Sequence, residues 1–415
     1  MLVVQGVGTG LVGTYGSSTA VTPALDHMAA RGIVLDQCFV DSQSLPEQLA
    51  SLWTGRHALQ SADRSWSLWS AAAAAAADHA ARRARLLTDS REVADIAAAW
   101  GCEAVTLIEV PPPGQPASEP SACAMNALFA AAVEEVLTGP QGLVWIHSRG
   151  LQHAWDAPLE LRGRFADPDD PPPPAEVELP SLDVGADVDP DWLVGWGQVA
   201  AAQTAVLDEA VHALWDAVQS REDREQWSCL FTSLGGVPLG EHGRLGWGRP
   251  QLYAEELQTA TLLYPAGGLP VGIRRPELFQ LPDLAAAIAH MLGWQLPAGC
   301  WGRNPLAYGH PESPQRWPKE LSLAMIASQH QGWIRSPAWS ALLASEFHTG
   351  GFHASEEAQL FVKPEDRWEI SQIAQRRRDV VERHCELAEQ FIQACRQNDR
   401  QLLPVLEDEL TNLMR

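Results

Sequence analysis

The order in which apolar runs and helical patterns alternate constrains this chain most. Leu2-Val3-Val4 reads as a buried strand almost at the start. Thr22-Pro23 then opens a helix, with Thr22 as its cap, Pro23 in the first turn and Gly32 at its end. Residues 33–40 alternate toward a strand, and Leu49 lies in the next helix. Strand, helix and strand recur over residues 85–88, 93–100 and 104–108. A further helix to about Leu137 leads into the strand 143–146, which carries His147 at its carboxyl end. Residues 199–218 predict a helix, 230–232 a strand, and 282–292 a helix closed by Gly293. Such alternation gives a mainly parallel sheet with helices on both faces, and ligands then sit at the carboxyl ends of the strands.

The 415 residues divide, on this reading, into an α/β domain over 1–310 and a C-terminal subdomain over 311–415. The subdomain combines a small sheet with an amphipathic helix over 375–396, where Val381, His384, Leu387, Phe391 and Cys395 share one face. Residues 61–82 read as a surface helix or linker. Residues 160–191, rich in Pro and Asp, read as a solvated loop with extended proline geometry, and a calcium loop is the lesser alternative. The net charge of −23 argues against nucleic acid, which needs a basic stripe. The longest apolar stretch, 71–77, is too short to span a bilayer. The seven cysteines are scattered without zinc spacing, which favours reduced structural thiols. As written the chain reads as cytoplasmic, and as secreted or periplasmic if a leader precedes Met1.

Two segments carry a resemblance. Leu11-Val12-Gly13-Thr14-Tyr15-Gly16 leads on to Ala50-Ser51-Leu52-Trp53-Thr54-Gly55-Arg56, and Thr232-Ser233 leads on to Leu239-Gly240-Glu241-His242-Gly243. These resemble the two signature regions of the sulfatases, a branch of the alkaline-phosphatase superfamily. Leu360-Phe361-Val362-Lys363-Pro364-Glu365-Asp366-Arg367-Trp368-Glu369 resembles the strand and turn of that family's C-terminal subdomain. The resemblance implies a sulfatase-like α/β fold: a mixed sheet sandwiched by helices, with a small C-terminal α+β subdomain. It also implies calcium and a formylglycine nucleophile for catalysis.

Residue by residue, the resemblance fails where that chemistry would lie. The places of the four metal ligands hold Gln5, Gly6, Leu234 and Gly235, and that of the nucleophile holds Leu45. Leu49 stands at an arginine position and Trp247 at a lysine position. No cofactor is therefore expected. His153 resembles the sulfate-contacting histidine, and Arg249 lies where it could replace the missing lysine charge. Ser44 is the one hydroxyl near the nucleophile position, and without a base it is an ordinary alcohol. Weak catalytic candidates are thus His153, His242 and Ser44, and binding candidates are His147, His153, Glu241 and Arg249. His147, His153, Glu241 and His242 form a zinc alternative without a local i,i+4 pair. The glycines of Gly6-Val7-Gly8-Thr9-Gly10 are expected to take up the space of the lost metal turn. Most of the tryptophans are expected in the core, with Trp66, Trp69 and Trp247 the candidates for exposure near the cleft.

The leading expectation is a catalytically degenerate sulfatase-like protein that binds a small anionic ligand or a protein partner. The alternatives are a hydrolase of sulfate or phosphate esters with a rebuilt site, and a purely structural protein whose cleft is filled.

Overall fold

The computed structural model describes residues 1–415 except 62, 64, 79–82, 186, 249–250, 270, 308–322, 329–330, 347–350 and 412–415. Its chain divides into two compact units. The first comprises Met1–Asp36, Trp69–Pro250 and Gln258–Arg275; the second comprises Gln37–Leu68, Gln251–Leu257 and Pro276–Arg415.

The first unit is organised on a mixed sheet. Its strands are β1 (Leu2–Gln5), β2 (Ile33–Phe39), β3 (Arg83–Thr88), β4 (Val105–Leu107) and β5 (Gly142–Ser148). A two-residue pair, β6 (Leu182–Asp183) and β8 (Arg244–Leu245), stands apart from β7 (Cys229–Leu234). Then come β9 (Gln258–Thr259), β10 (Thr261–Tyr264) and β11 (Ile273–Gln280), which after Arg275, like β2 after Asp36, belongs to the second unit. The order across the sheet is β11-β2-β10-β7-β1-β5-β3-β4, with β9 beside β2. From β7 to β4 all pairings are parallel, as the alternation predicts. β10 runs antiparallel to both β7 and β2 and makes the sheet mixed. Its sequence, Thr-Leu-Leu-Tyr, is buried throughout, so it has no period to betray it.

Flanking helices close the core, chiefly Asn126–Thr138 and the 30-residue helix Pro190–Gln219. The latter begins nine residues before the sequence expectation, with Asp189 capping the amide of Asp191 and Pro190 in the first turn. Thr22 does not cap the helix Pro23–Ala30. Its hydroxyl accepts from the Gly13 amide instead (2.8 Å), and the buried Asp208 carboxylate accepts from the amides of Ala24 (2.9 Å) and Leu25 (3.0 Å). A tertiary partner has taken over a local cap. Trp69 is buried and packs on Trp145 at 5.7 Å, so it is a core residue and no longer a candidate for exposure near the cleft.

The second unit carries an antiparallel sheet of β12 (Ala324–Ala327), β13 (Gln331–Arg335), β14 (Trp339–Glu346), β15 (Gly351–His353) and β16 (Gln359–Val362). The helix Arg378–Gln397 lays Val381, His384, Leu387, Phe391 and Cys395 inward, as their spacing predicts. After β16, Lys363 pairs with the buried Glu369 at 3.1 Å, and Glu369 Oε2 accepts from the Ala254 amide (2.9 Å). The helix Leu281–Met291 starts with a reciprocal capping box between Gln280 and Asp283. None of the seven cysteines, all among the described residues, forms a disulfide. Among the described residues no helix is long and apolar enough to cross a membrane.

Candidate functional site

Parallel pairing brings the carboxyl ends of β1, β3, β5 and β7 to one edge. Val3 lies beside His147, Gln5 beside Leu234, and Thr88 beside His147. The segments following these strands, from Gly6, Asp89, Arg149 and Gly235, therefore leave the sheet together, where an open α/β sheet places ligands.

Gln5 and His147 face each other inside this edge. Gln5 Nε2 donates to His147 Nε2 at 3.0 Å, so the ring proton sits on Nδ1. That Nδ1 is buried with no partner among the described residues. His147 is fully buried, and desolvation pushes its pKa down to about 3. The ring is neutral and closed to solvent. Its folded pKa lies below the ordinary 6.5, so the unfolded chain takes up the proton first as pH falls. The stability this group contributes is complete above pH 6.5 and is lost as pH falls toward 3. Each pH unit in that window is worth about 1.4 kcal/mol. We expect wild type to lose about 2 kcal/mol more than His147→Gln between pH 6.5 and 5, read from urea midpoints. Equal losses would show that His147 is not held neutral.

Gly6 shows why this edge has no room for a larger side chain. Its φ is +80°, and a Cβ built there would lie 2.7 Å from Trp247 Cζ2 and 2.9 Å from Cη2. The half-buried Trp247 indole is anchored through Nε1, which donates to the Leu151 carbonyl at 3.2 Å. The absence of a Cβ at Gly6 is what lets the Trp247 indole lie this close to the backbone. At β7 the chain runs through buried Leu234 into Gly235 at φ +68°.

His153 lies just past the short turn Gly150–Gln152 and is half-buried. It lines a cavity of about 10 Å3, one water in size, with Asp89, Arg149 and Gln203. The Arg149 amide donates to Asp89 Oδ1 at 2.8 Å, while Arg149 Nε stands 3.8 Å from Oδ2. Burial raises the Asp89 pKa, partly offset by Arg149; burial, then the Arg149 charge, lowers that of His153. Gln203 accepts from the Ala157 amide at 2.8 Å, and its Nε2 is buried without a partner among the described residues. Sequence reasoning missed Asp89, Arg149 and Gln203. Asp89 and Arg149 each stand one residue past a strand end, and that position is the signal that could have found them.

Glu241 and His242 do not line the His153 cavity and lie in a turn of their own. Glu241 is exposed, and its carboxylate accepts from the Leu239 amide at 2.6 Å, closing its own turn. His242 follows at φ +47° in the same turn. Among the described residues no three His, Cys, Asp or Glu side chains are arranged to hold a metal ion, so the zinc alternative of His147, His153, Glu241 and His242 is not assembled. Arg249 lies outside the described residues. In the second unit Ser44 is the N-cap residue of the helix Leu45–Thr54 but makes no side-chain cap, and its amide donates to Ser42 Oγ at 3.0 Å. Leu45 is half-buried and Leu49 is fully buried. Trp66 in this unit is half-buried.

The fold is that of sulfatases and phosphonate monoester hydrolases. The phosphonate monoester hydrolase of Agrobacterium radiobacter matches with a TM-score of 0.71 at 13% identity, over 96% of this chain and 95% of that one. A 2-O GAG sulfatase matches with a TM-score of 0.71 at 16% identity, over 99% and 96%. The phosphonate monoester hydrolase from Silicibacter pomeroyi matches with a TM-score of 0.71 at 12% identity, over 97% and 96%. No protein-family model and no curated protein matches the sequence.

Proposed function

We propose that this chain is a sulfatase-family protein that has lost the family's ester hydrolysis and acts by binding a small anionic ligand or a protein partner. The observation that carries the reading is the Trp247 indole lying where any side chain at position 6 would project. A hard cation needs several oxygen donors. Of the four positions the resemblance gives to metal ligands, Gln5, Gly6, Leu234 and Gly235, the first alone carries a side-chain oxygen, and its amide nitrogen is committed to His147. These residues do not fit a calcium ion held as the family holds it. Leu45 has neither the thiol that becomes formylglycine nor a hydroxyl. A rebuilt hydrolase is less favoured, because Glu241 is spent on its own turn and the His153 cavity admits one water.

Purified chain incubated with 4-nitrophenyl sulfate and with a phenylphosphonate monoester, with calcium, manganese or a chelator, tests this. We expect no turnover above buffer, and the same for His153→Ala. Metal-dependent turnover that His153→Ala abolishes would overturn the reading.

A further inference from the structure

A second concavity lies away from the edge described above. Two helices of the first unit, Pro23–Ala30 and Pro190–Gln219, enclose a groove of about 700 Å3. That volume falls within the range of small-molecule sites, about 300–1,000 Å3. Its surface is mostly apolar, from Val21, Pro23, Ala24, Ala205 and Trp215. Trp215 packs edge-on against Tyr264 with ring centroids 4.7 Å apart. Tyr264 pairs with Cys229, the first residue of β7, whereas the candidate edge lies at Leu234, the last. The groove is therefore at the other end of these strands.

The two walls are tied together. Asp208, on the long helix, accepts from the Ala24 and Leu25 amides, so the groove is preformed in the folded chain. Val21 keeps 62% of its surface in solvent, a large apolar exposure beside an aromatic floor.

Charge decides the occupant. Glu209 and Asp216 are exposed on the rim, and neither Lys nor Arg is among the lining residues described. The Asp208 carboxylate adds negative potential from behind, although its oxygens are occupied. His27 packs edge-to-face with Trp215, ring centroids 6.1 Å apart, and His212 pairs with Asp216 at 3.5 Å. An anion would meet three carboxylates here. An ammonium group would meet the exposed Glu209 carboxylate and the Asp216 carboxylate that pairs with His212, beside the aromatic pair of His27 and Trp215, a setting that favours an organic cation over an anion.

We propose that this groove binds a small organic cation: a protonated amine on an apolar body, with the body against Ala24, Ala205 and Trp215 and the ammonium drawn to the acidic rim of Glu209 and Asp216. The site is independent of the reading given for the Gln5 edge.

Isothermal titration of the full chain with benzylammonium, benzyl alcohol and benzoate tests it. Saturable one-to-one binding of benzylammonium is expected, at least tenfold tighter than the alcohol, with none for benzoate. Glu209→Gln with Asp216→Asn changes two exposed side chains and should weaken benzylammonium tenfold or more at unchanged melting temperature. Ala205→Phe should block binding by filling the groove. Raising salt should weaken binding to the wild type and barely affect the double variant. Absence of saturable binding, benzoate binding as tightly as benzylammonium, or an unchanged double variant would each overturn the proposal.

Discussion

Gly6→Asp is expected to destabilise the folded chain by about 2–5 kcal/mol, summing a side chain forced to positive φ and overpacking against an indole. The residue the family resemblance would place here cannot enter while Trp247 lies 2.7 Å from the new Cβ. The two causes separate in a double-mutant cycle. Trp247→Ala alone should lose stability through its emptied packing space and its lost bond to Leu151. In the combination with Gly6→Asp the clash is gone and the backbone strain remains, so the pair should cost less than the sum by about 1–3 kcal/mol. Urea denaturation of the four proteins reads this directly. Strict additivity would mean that Trp247 does not occupy the space next to Gly6.

Arg162→Ala is expected to cost about 3–5 kcal/mol, the usual effect of breaking a buried charged hydrogen-bond network. Arg162 is fully buried in the short helix Leu159–Gly163, although it lies within residues 160–191, which the sequence reads as a solvated loop. Its guanidinium donates to the carbonyls of Ala157 (2.9 Å), Trp155 (2.6 Å) and Glu176 (2.9 Å), and to that of Pro174. One side chain thereby fastens the segment after His153 to the proline-rich stretch. Removing it leaves these carbonyls without that donor. Hydrogen exchange should show the amides of Trp155 and Ala157, which bond to Val177 and Gln203, losing protection first. Arg162→Lys should recover little, because one ammonium cannot reproduce a planar fork spread over four carbonyls. Unchanged stability and exchange in Arg162→Ala would show the loop to be held by other means.

The parallel half of the sheet was legible because each buried strand is a short apolar run followed by a helical period. The C-terminal helix was legible from one apolar stripe. What escaped had no period or no local partner. β10 and β11 were missed: one is a four-residue run buried on every side, and the other mixes Arg, Pro and Glu into its strand. Thr22 looked like a cap because local rules allow it, and Asp208, 186 residues away, took the role. At the candidate site, the identities of Gln5, Gly6, Leu234 and Trp247 could be read as departures from a family pattern. That Trp247 and Gly6 are in contact could not, since 241 positions separate them. Asp89, Arg149 and Gln203 likewise meet only through the register of β3 and β5 and the placement of a helix.

On the proposal made above, the strand edge that the family resemblance assigns to a metal is here closed by side chains. Thermal unfolding of the chain in calcium, magnesium, manganese or zinc, each against a chelator, tests it most directly. An ion bound only by the folded state at a hundred times its Kd would add about 2.7 kcal/mol. We expect no ion-specific rise in Tm for wild type and none for Gln5→Ala. A rise with one ion, removed by Gln5→Ala, would place a working metal site at this edge and contradict the account.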